Sequence, residues 1–158
     1  MGLDAFVFCD CYEKARLKHK PLNPDLVHVL PNGDLGCRSE DSKVLERFDN
    51  WRENACKHEA GMVAGDYLGN GSLIDSIRDE LSRKPRRFPT LLNRVIYSGT
   101  HCGDHLTVKM VAKLQVELDR LKAHRFGNKG LDREIQNLRR QLQRLVRASL
   151  KIGKPIGF

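Results

Sequence analysis

The sequence has few aromatic residues and no long apolar run, and each shortage excludes a class of protein. Aromatic side chains make up 6% of the 158 residues, with a single Trp. A membrane-spanning helix needs about 20 predominantly apolar residues, and no stretch of the chain has this composition. The opening MGLDAFVFCD lacks a basic leader and a long apolar core, so it does not match a secretory signal. We therefore expect no membrane partner and a cytoplasmic location.

Cysteine is present, but neither its number nor its spacing fits a disulfide framework. The count is odd, and the sequence shows no export signal, which together favour a reducing compartment. The Cys-x2-Cys spacing of standard zinc modules is also missing. The five cysteines are Cys9, Cys11, Cys37, Cys56 and Cys102.

Acidic residues are scarce in the last quarter of the chain. Residues 120–158 hold eleven of the 28 Lys and Arg but only two of the 20 acids, so they carry +9 and the remaining residues −1. The cations recur at helical spacing, which predicts a basic stripe on one side of the last helix. The stripe favours an acidic protein surface or nucleic-acid phosphates as partner, and a merely solvated helix face is the alternative. The predicted partner-binding residues are Arg133, Arg139, Arg140, Arg144, Arg147 and Lys151.

Two further absences narrow the nucleic-acid alternative. The stripe contains no aromatic residue on which single-stranded bases could stack. The chain also has no helix-turn-helix or zinc-finger spacing that would indicate readout of base edges. A nucleic-acid role of the stripe would therefore rest on contacts to the phosphate backbone.

The apolar pattern predicts an α+β fold, with a small and mainly antiparallel sheet covered by helices. We expect strands at 3–9, 26–30 and 93–98, and helices at about 41–57 and 72–83. The glycine-rich segment 59–72 is expected to break any long element.

The last third of the chain predicts an antiparallel pair of amphipathic helices, joined by the glycine turn RFGNKG at 125–130. The two helices either pack on the body or pair with a second copy in a homodimer. We predict an α+β body over 1–106 and a helical hairpin with a tail over 107–158, packed as one domain, with the tail as a short edge strand. The apolar positions are Val111, Leu114, Leu118 and Leu121 in the first helix and Leu131, Ile135, Leu138, Leu142 and Leu145 in the second.

Two close pairs of thiol and imidazole groups are candidate zinc ligands: Cys9, Cys11, Cys56 and His58. Tetrahedral zinc places ligand sulfurs about 3.8 Å apart. Alternate residues of a strand are about 6.6–7 Å apart, so the chain must bend at Asp10. A helix must likewise end between Cys56 and His58 for that pair to converge. The alternative, which we favour from the sequence, is that the cysteines are small buried side chains, and we then expect no cofactor.

The segment GTHCGDH raises the alternative of a catalytic thiol. Cys102 lies between His101 and His105, and Asp104 could orient an imidazole in a Cys-His-Asp set. Members of such sets normally converge from distant parts of a chain, whereas these are neighbours in sequence. We therefore interpret the segment as a polar loop before a helix, and predict that the protein is not an enzyme.

Several stretches resemble known families: MGLDAFVFCDCYEKARLK, FDNWRENACKHEAG, DYLGN and FPTLLNRVIYSGTHCGDHL followed by LQVELDRL. Together they are similar to small uncharacterised bacterial cytoplasmic proteins that begin MGLD and carry a Cys-x-Cys. YSGTHCGDHL also resembles stretches in immunity proteins of bacterial toxin systems. The resemblance implies that a rigid surface blocks a toxin by steric occlusion. Many nuclease toxins are basic and their inhibitors are acidic. This chain has a net charge of +8, so the resemblance implies a toxin that is acidic or neutral.

The sequence thus predicts a non-enzymatic protein-binding module, plausible as an immunity protein in a toxin–antitoxin pair. A nucleic-acid-associated protein that uses the basic C-terminal helix is one alternative. A zinc-stabilised binding protein is the other.

Overall fold

The computed structural model describes residues 2–123 and 128–158 as an α+β fold. Four antiparallel strands form the main sheet in the order β4-β1-β6-β5, and β2 and β3 form a separate hairpin. The strands are β1 Gly2–Phe8, β2 Val27–Val29, β3 Leu35–Cys37, β4 Met62–Asn70, β5 His105–Leu106 and β6 Ile156–Gly157. The helices are α1 Ser42–Asn54, α2 Gly71–Ser82, α3 Val108–Ala123 and α4 Lys129–Ile152.

The hydrophobic core lies between the main sheet and helices α2, α3 and α4. The alternation of β1 turns Leu3, Ala5 and Val7 towards these helices, and all three are fully buried. The apolar positions at helical spacing in α3 and α4 are buried in the same core, and the two helices pack together. The predicted fold class is therefore confirmed. No described helix combines the length and the apolar character needed to cross a membrane.

Two strand predictions are wrong. Residues 93–98 do not form a strand, because the chain makes a π-helical turn at Leu91–Val95 that buries Leu91, Leu92 and Val95 against the core. The glycine-rich segment 59–72, which we expected to break any long element, instead forms the nine-residue strand β4 over most of its length, and β4 pairs along the whole of β1 with two register shifts. Short β-branched runs and glycine-rich runs are both ambiguous without their tertiary partners.

Two further predictions need correction in part. The strand predicted at 26–30 exists, but it belongs to the β2–β3 hairpin rather than to the main sheet. The tail does form a strand, yet β6 lies between β1 and β5 instead of at an edge. Pro155 directly precedes β6, so it removes no hydrogen bond from within the strand. The predicted turn at 125–130 lies partly outside the described residues.

Residues 9–61, which we call the cysteine lobe, contribute no residue to the main hydrophobic core. Helix α1 buries none of its residues. The buried apolar side chains that the structure describes in the lobe are Cys11, Ala55 and Cys56. The lobe therefore has almost no apolar core of its own, apart from the neighbourhood of its cysteines.

Candidate metal centre

The end of β1 brings Cys9 and Cys11 into a bend. The strand ends at Phe8, and a turn follows in which the Lys14 amide donates to the Asp10 carbonyl at 3.0 Å. The Arg16 amide then donates to the Cys11 carbonyl at 2.7 Å, which closes the loop back on itself. Because the chain leaves the extended conformation here, the two thiols are not held about 6.6–7 Å apart as alternate residues of a strand would be. The bend that chelation requires is thus present.

The end of α1 places Cys56 and His58 in a similar way. The helix ends at Asn54, two residues before Cys56, so the two side chains are not fixed at helical angles. The Cys56 sulfur accepts a hydrogen bond from the His58 amide at 3.4 Å. This contact forms a tight turn that brings the two residues together. The Lys18 amide donates to the Ala55 carbonyl at 2.7 Å and joins this turn to the chain that follows the first pair.

The four candidate ligands converge at one point. Their sulfur and ring-nitrogen atoms all lie within 4.8 Å of one another. Cys9 Sγ is 3.7 Å from Cys56 Sγ, and His58 Nδ1 is 3.4 Å from Cys11 Sγ and 3.7 Å from Cys56 Sγ. A tetrahedral zinc ion requires sulfur–sulfur separations of about 3.8 Å and slightly shorter sulfur–nitrogen separations. The donor set and the spacing therefore fit zinc.

The ligand atoms sit in a partly desolvated environment. Burial raises the pKa of Cys9 to about 12, although the backbone of Cys11 lowers it in part. Burial likewise raises the pKa of Cys11 above its usual value. Thiols in this state keep their protons in the absence of a metal, so zinc binding would be coupled to proton release.

Asp10, between the two cysteines, is not available as a ligand. Its carboxylate pairs with Lys14 at 2.6 Å and with Arg16. The Lys14 hydrogen bond, together with the charge of Arg16, holds the pKa of Asp10 below its usual range against the opposing effect of burial. The acid thus fastens the loop that presents the two thiols.

The cysteine lobe is attached to the main sheet through charged and backbone contacts. The Cys9 amide donates to the Gly61 carbonyl at 2.7 Å, which joins the two ends of the lobe directly beside the β1–β4 pair Phe8–Met62. Buried Lys154, which precedes β6, donates to both Glu13 oxygens at 2.7 and 2.8 Å. Each contact fixes the cysteine loop relative to the sheet.

The segment around Cys102, for which a Cys-His-Asp set was the alternative to a polar loop, has the following contacts. Asp104 accepts from the Tyr97 hydroxyl and lies 3.2 Å from His101 Nδ1. His105 is instead part of β5, and Cys102 is exposed. Helix α3 begins at Val108, after β5, so Cys102 does not directly precede the helix. The polar-loop interpretation is the one that the geometry fits.

The predicted basic stripe lies on α4, but its members differ in their contacts. Arg144 pairs with Asp66 of β4, and Arg139 donates to Gln136 and Gln143 at 2.8 Å each. Arg140 donates to Asn137 of the same helix. The others, Arg133, Arg147 and Lys151, are exposed. Their role in partner binding remains a prediction.

The chain is thus an α+β protein with a four-ligand Cys3His cluster in a lobe that has little apolar core. No family model, curated protein or solved structure matches it.

Proposed function

We propose that this is a zinc-stabilised, non-enzymatic binding protein. The observation that carries the proposal is the convergence of Cys9, Cys11, Cys56 and His58 within 4.8 Å. Four protein ligands complete the tetrahedral coordination of zinc, as in structural sites, and leave no open position for a substrate. Zinc would tie the end of β1 to the end of α1 and supply the folding free energy that the small core of the cysteine lobe lacks.

Metal analysis of the purified protein tests the zinc site. We expect about one zinc ion per chain, and tetrahedral thiolate absorption when cobalt(II) replaces it. Cys56→Ser should lose the metal. Cys102→Ser, which changes an exposed thiol outside the cluster, should retain it. A metal-free protein that is fully folded would contradict the proposal, as would full zinc retention by Cys56→Ser.

We further propose that its partner is an acidic or neutral protein in the cytoplasm, and that an immunity role against a toxin is the leading case. The exposed cations Arg140 and Arg147 of α4 support this partner chemistry. The resemblance to immunity proteins supports the role. A homodimer would have to use the polar faces of α3 and α4, because their apolar faces are already buried.

Co-expression with the product of the neighbouring gene tests the immunity role. We expect the chain to restore growth, and Arg140→Glu with Arg147→Glu to abolish both rescue and co-purification. Lys43→Glu in α1, an exposed reversal on the cysteine lobe, is the control and should change neither. A toxic neighbour that the intact chain neither binds nor neutralises would count against the role.

A further inference from the structure

A second basic surface lies away from the α4 stripe, in a groove between α3 and the segment that precedes it. Residues of the π-helical turn and its approach form one wall, and the outer face of α3 forms the other. We call it the α3 groove. Its cations are Arg94 on the first wall and Lys113 and Arg120 on the second. The sequence does not predict this groove, because its two walls come from separate elements, the π-helical turn and α3.

The cations of the α3 groove are available to a ligand. Arg94, Lys113 and Arg120 are all exposed. None of the three forms an ion pair with another residue in the described part of the chain. This sets them apart from Arg144 of the α4 stripe, which Asp66 neutralises.

The acid that lines the groove is already satisfied. Both carboxylate oxygens of Glu117 accept backbone N–H groups, from Thr90 at 2.8 Å and from Leu91 at 2.9 Å. Glu117 is 4% exposed, so it presents little negative surface to a ligand. The Asn93 side chain lines the same wall as Arg94 and adds a neutral amide donor.

The positive surface continues beyond the groove in both directions. Lys109 precedes Lys113 by one turn of α3 and is exposed, so the cations of this helix run from 109 to 120 over about 16 Å. Ahead of the first wall, the segment RKPRR at 83–87 is exposed throughout, and within it Arg83 pairs with Glu80 at 3.0 Å. Val116, half exposed at 50%, lies among the α3 cations and gives the groove an aliphatic patch.

We propose that the α3 groove binds the phosphate backbone of a nucleic acid without reading its sequence. A nucleic-acid strand presents one negative charge per about 3.4 Å of helix axis. A row of cations that extends over about three turns of α3 suits this repeating charge. Arginines on facing walls match phosphate oxygens in a bidentate manner, and amide donors are common partners of the same oxygens. The proposal is independent of the zinc site and of the α4 stripe.

Fluorescence anisotropy with a DNA duplex of about 20 base pairs, at about 50 mM salt, tests the proposal, with a single-stranded RNA of equal length as a second probe. A single-stranded DNA of equal length is measured as well, so that strandedness is separated from the sugar. The triple variant Arg94→Glu, Lys113→Glu, Arg120→Glu should weaken binding by roughly 100-fold and flatten the slope of log K against log salt by about 2 to 3. The corresponding alanine triple should show a smaller loss in the same direction.

The control triple is Lys20→Glu, Arg38→Glu, Arg47→Glu, which changes the net charge equally at exposed positions of the cysteine lobe. It should bind within about threefold of the unmodified protein, because only long-range charge is altered. Circular dichroism and zinc content verify that each variant is folded, so that a loss of binding is not mistaken for unfolding.

Several results would overturn the proposal. One is absence of binding by the folded protein at low salt, whether or not it holds zinc. Another is an equal loss in the groove and control triples, which would reflect net charge alone. A third is a loss produced by reversing Arg140, Arg147 and Lys151 but not by the groove triple. If poly-L-glutamate of equal charge displaces the probe as well as DNA does, the groove recognises carboxylates and a protein partner replaces the nucleic acid.

Discussion

Glu117 shows how one buried side chain can join two elements. It lies on α3, and its carboxylate accepts the backbone amides at the start of the π-helical turn. The first amides of any helical turn lack partners within the turn. A buried carboxylate that accepts two of them therefore stabilises the turn and fixes its position on α3.

Glu117→Ala should lower the free energy of unfolding by about 2–4 kcal/mol, because two buried amides lose their acceptor. Urea denaturation measures the change. Gln115→Ala, an exposed position on the same helix, is the control and should stay within about 0.5 kcal/mol of the unmodified protein. A similar effect of both substitutions would show that the contact contributes nothing specific.

At the scale of elements, α4 is the helix that organises the sheet. It is 24 residues long and packs against α3 and β4. Its polar face also contacts β4, since Gln141 donates to the Tyr67 carbonyl at 2.6 Å and Arg144 pairs with Asp66. An arginine that sequence analysis assigns to partner binding thus has a structural contact as well.

Leu142→Ala, at a fully buried position of α4, should cost about 2–5 kcal/mol because it leaves a cavity in the core. Arg147→Ala, exposed on the same helix, should have little effect. Thermal unfolding of both variants with zinc present measures the difference. Equal melting temperatures would mean that the core closes around the substitution.

The elements also show where local patterns suffice. The 3–4 spacing of leucines predicts α3 and α4, since a helix that buries one face needs apolar residues at that period. Local patterns do not predict β4. Gly65 and Gly69 disfavour a strand, and the strand forms because β1 pairs with it. Local patterns fail again at Val95 and Ile96, whose β-branched side chains are buried by a helical turn.

At the scale of the whole molecule, the core and the cysteine lobe differ in what stabilises them. The main core joins residues of the sheet to α2, α3 and α4, whereas the lobe adds none to it. Stability in such a molecule need not be uniform, and regions with few buried apolar contacts open first. We therefore expect the lobe to be the part whose stability depends on the proposed zinc ion.

Removal of zinc with a chelator should unfold residues 9–61 while the main core stays folded. Hydrogen exchange measured by mass spectrometry should show roughly tenfold or greater loss of protection in α1, with α3 and α4 little changed. Added zinc should restore the protection. Uniform loss across the chain, or none in the lobe, would contradict a metal-dependent lobe.

The candidate metal site was predictable in its membership but not in its assembly. The spacing of the Cys and His residues singled out Cys9, Cys11, Cys56 and His58. It also showed that the chain must bend within each pair for the four to bind one metal ion. Whether those bends occur depends on where β1 and α1 end, and element ends are set by contacts such as those between Lys18 and Ala55. No spacing in the sequence indicated the α3 groove, because its two walls belong to different elements that come together only in the folded chain.

The sequence by itself determined the charge of the C-terminal region, the two amphipathic helices and the α+β class, because composition and apolar period are local properties. Only the tertiary structure decided that Cys56, 47 positions after Cys9 in the chain, returns to within 3.7 Å of it. It also decided which cations are neutralised and which are free. Both depend on contacts between segments far apart in the chain, which no local pattern encodes.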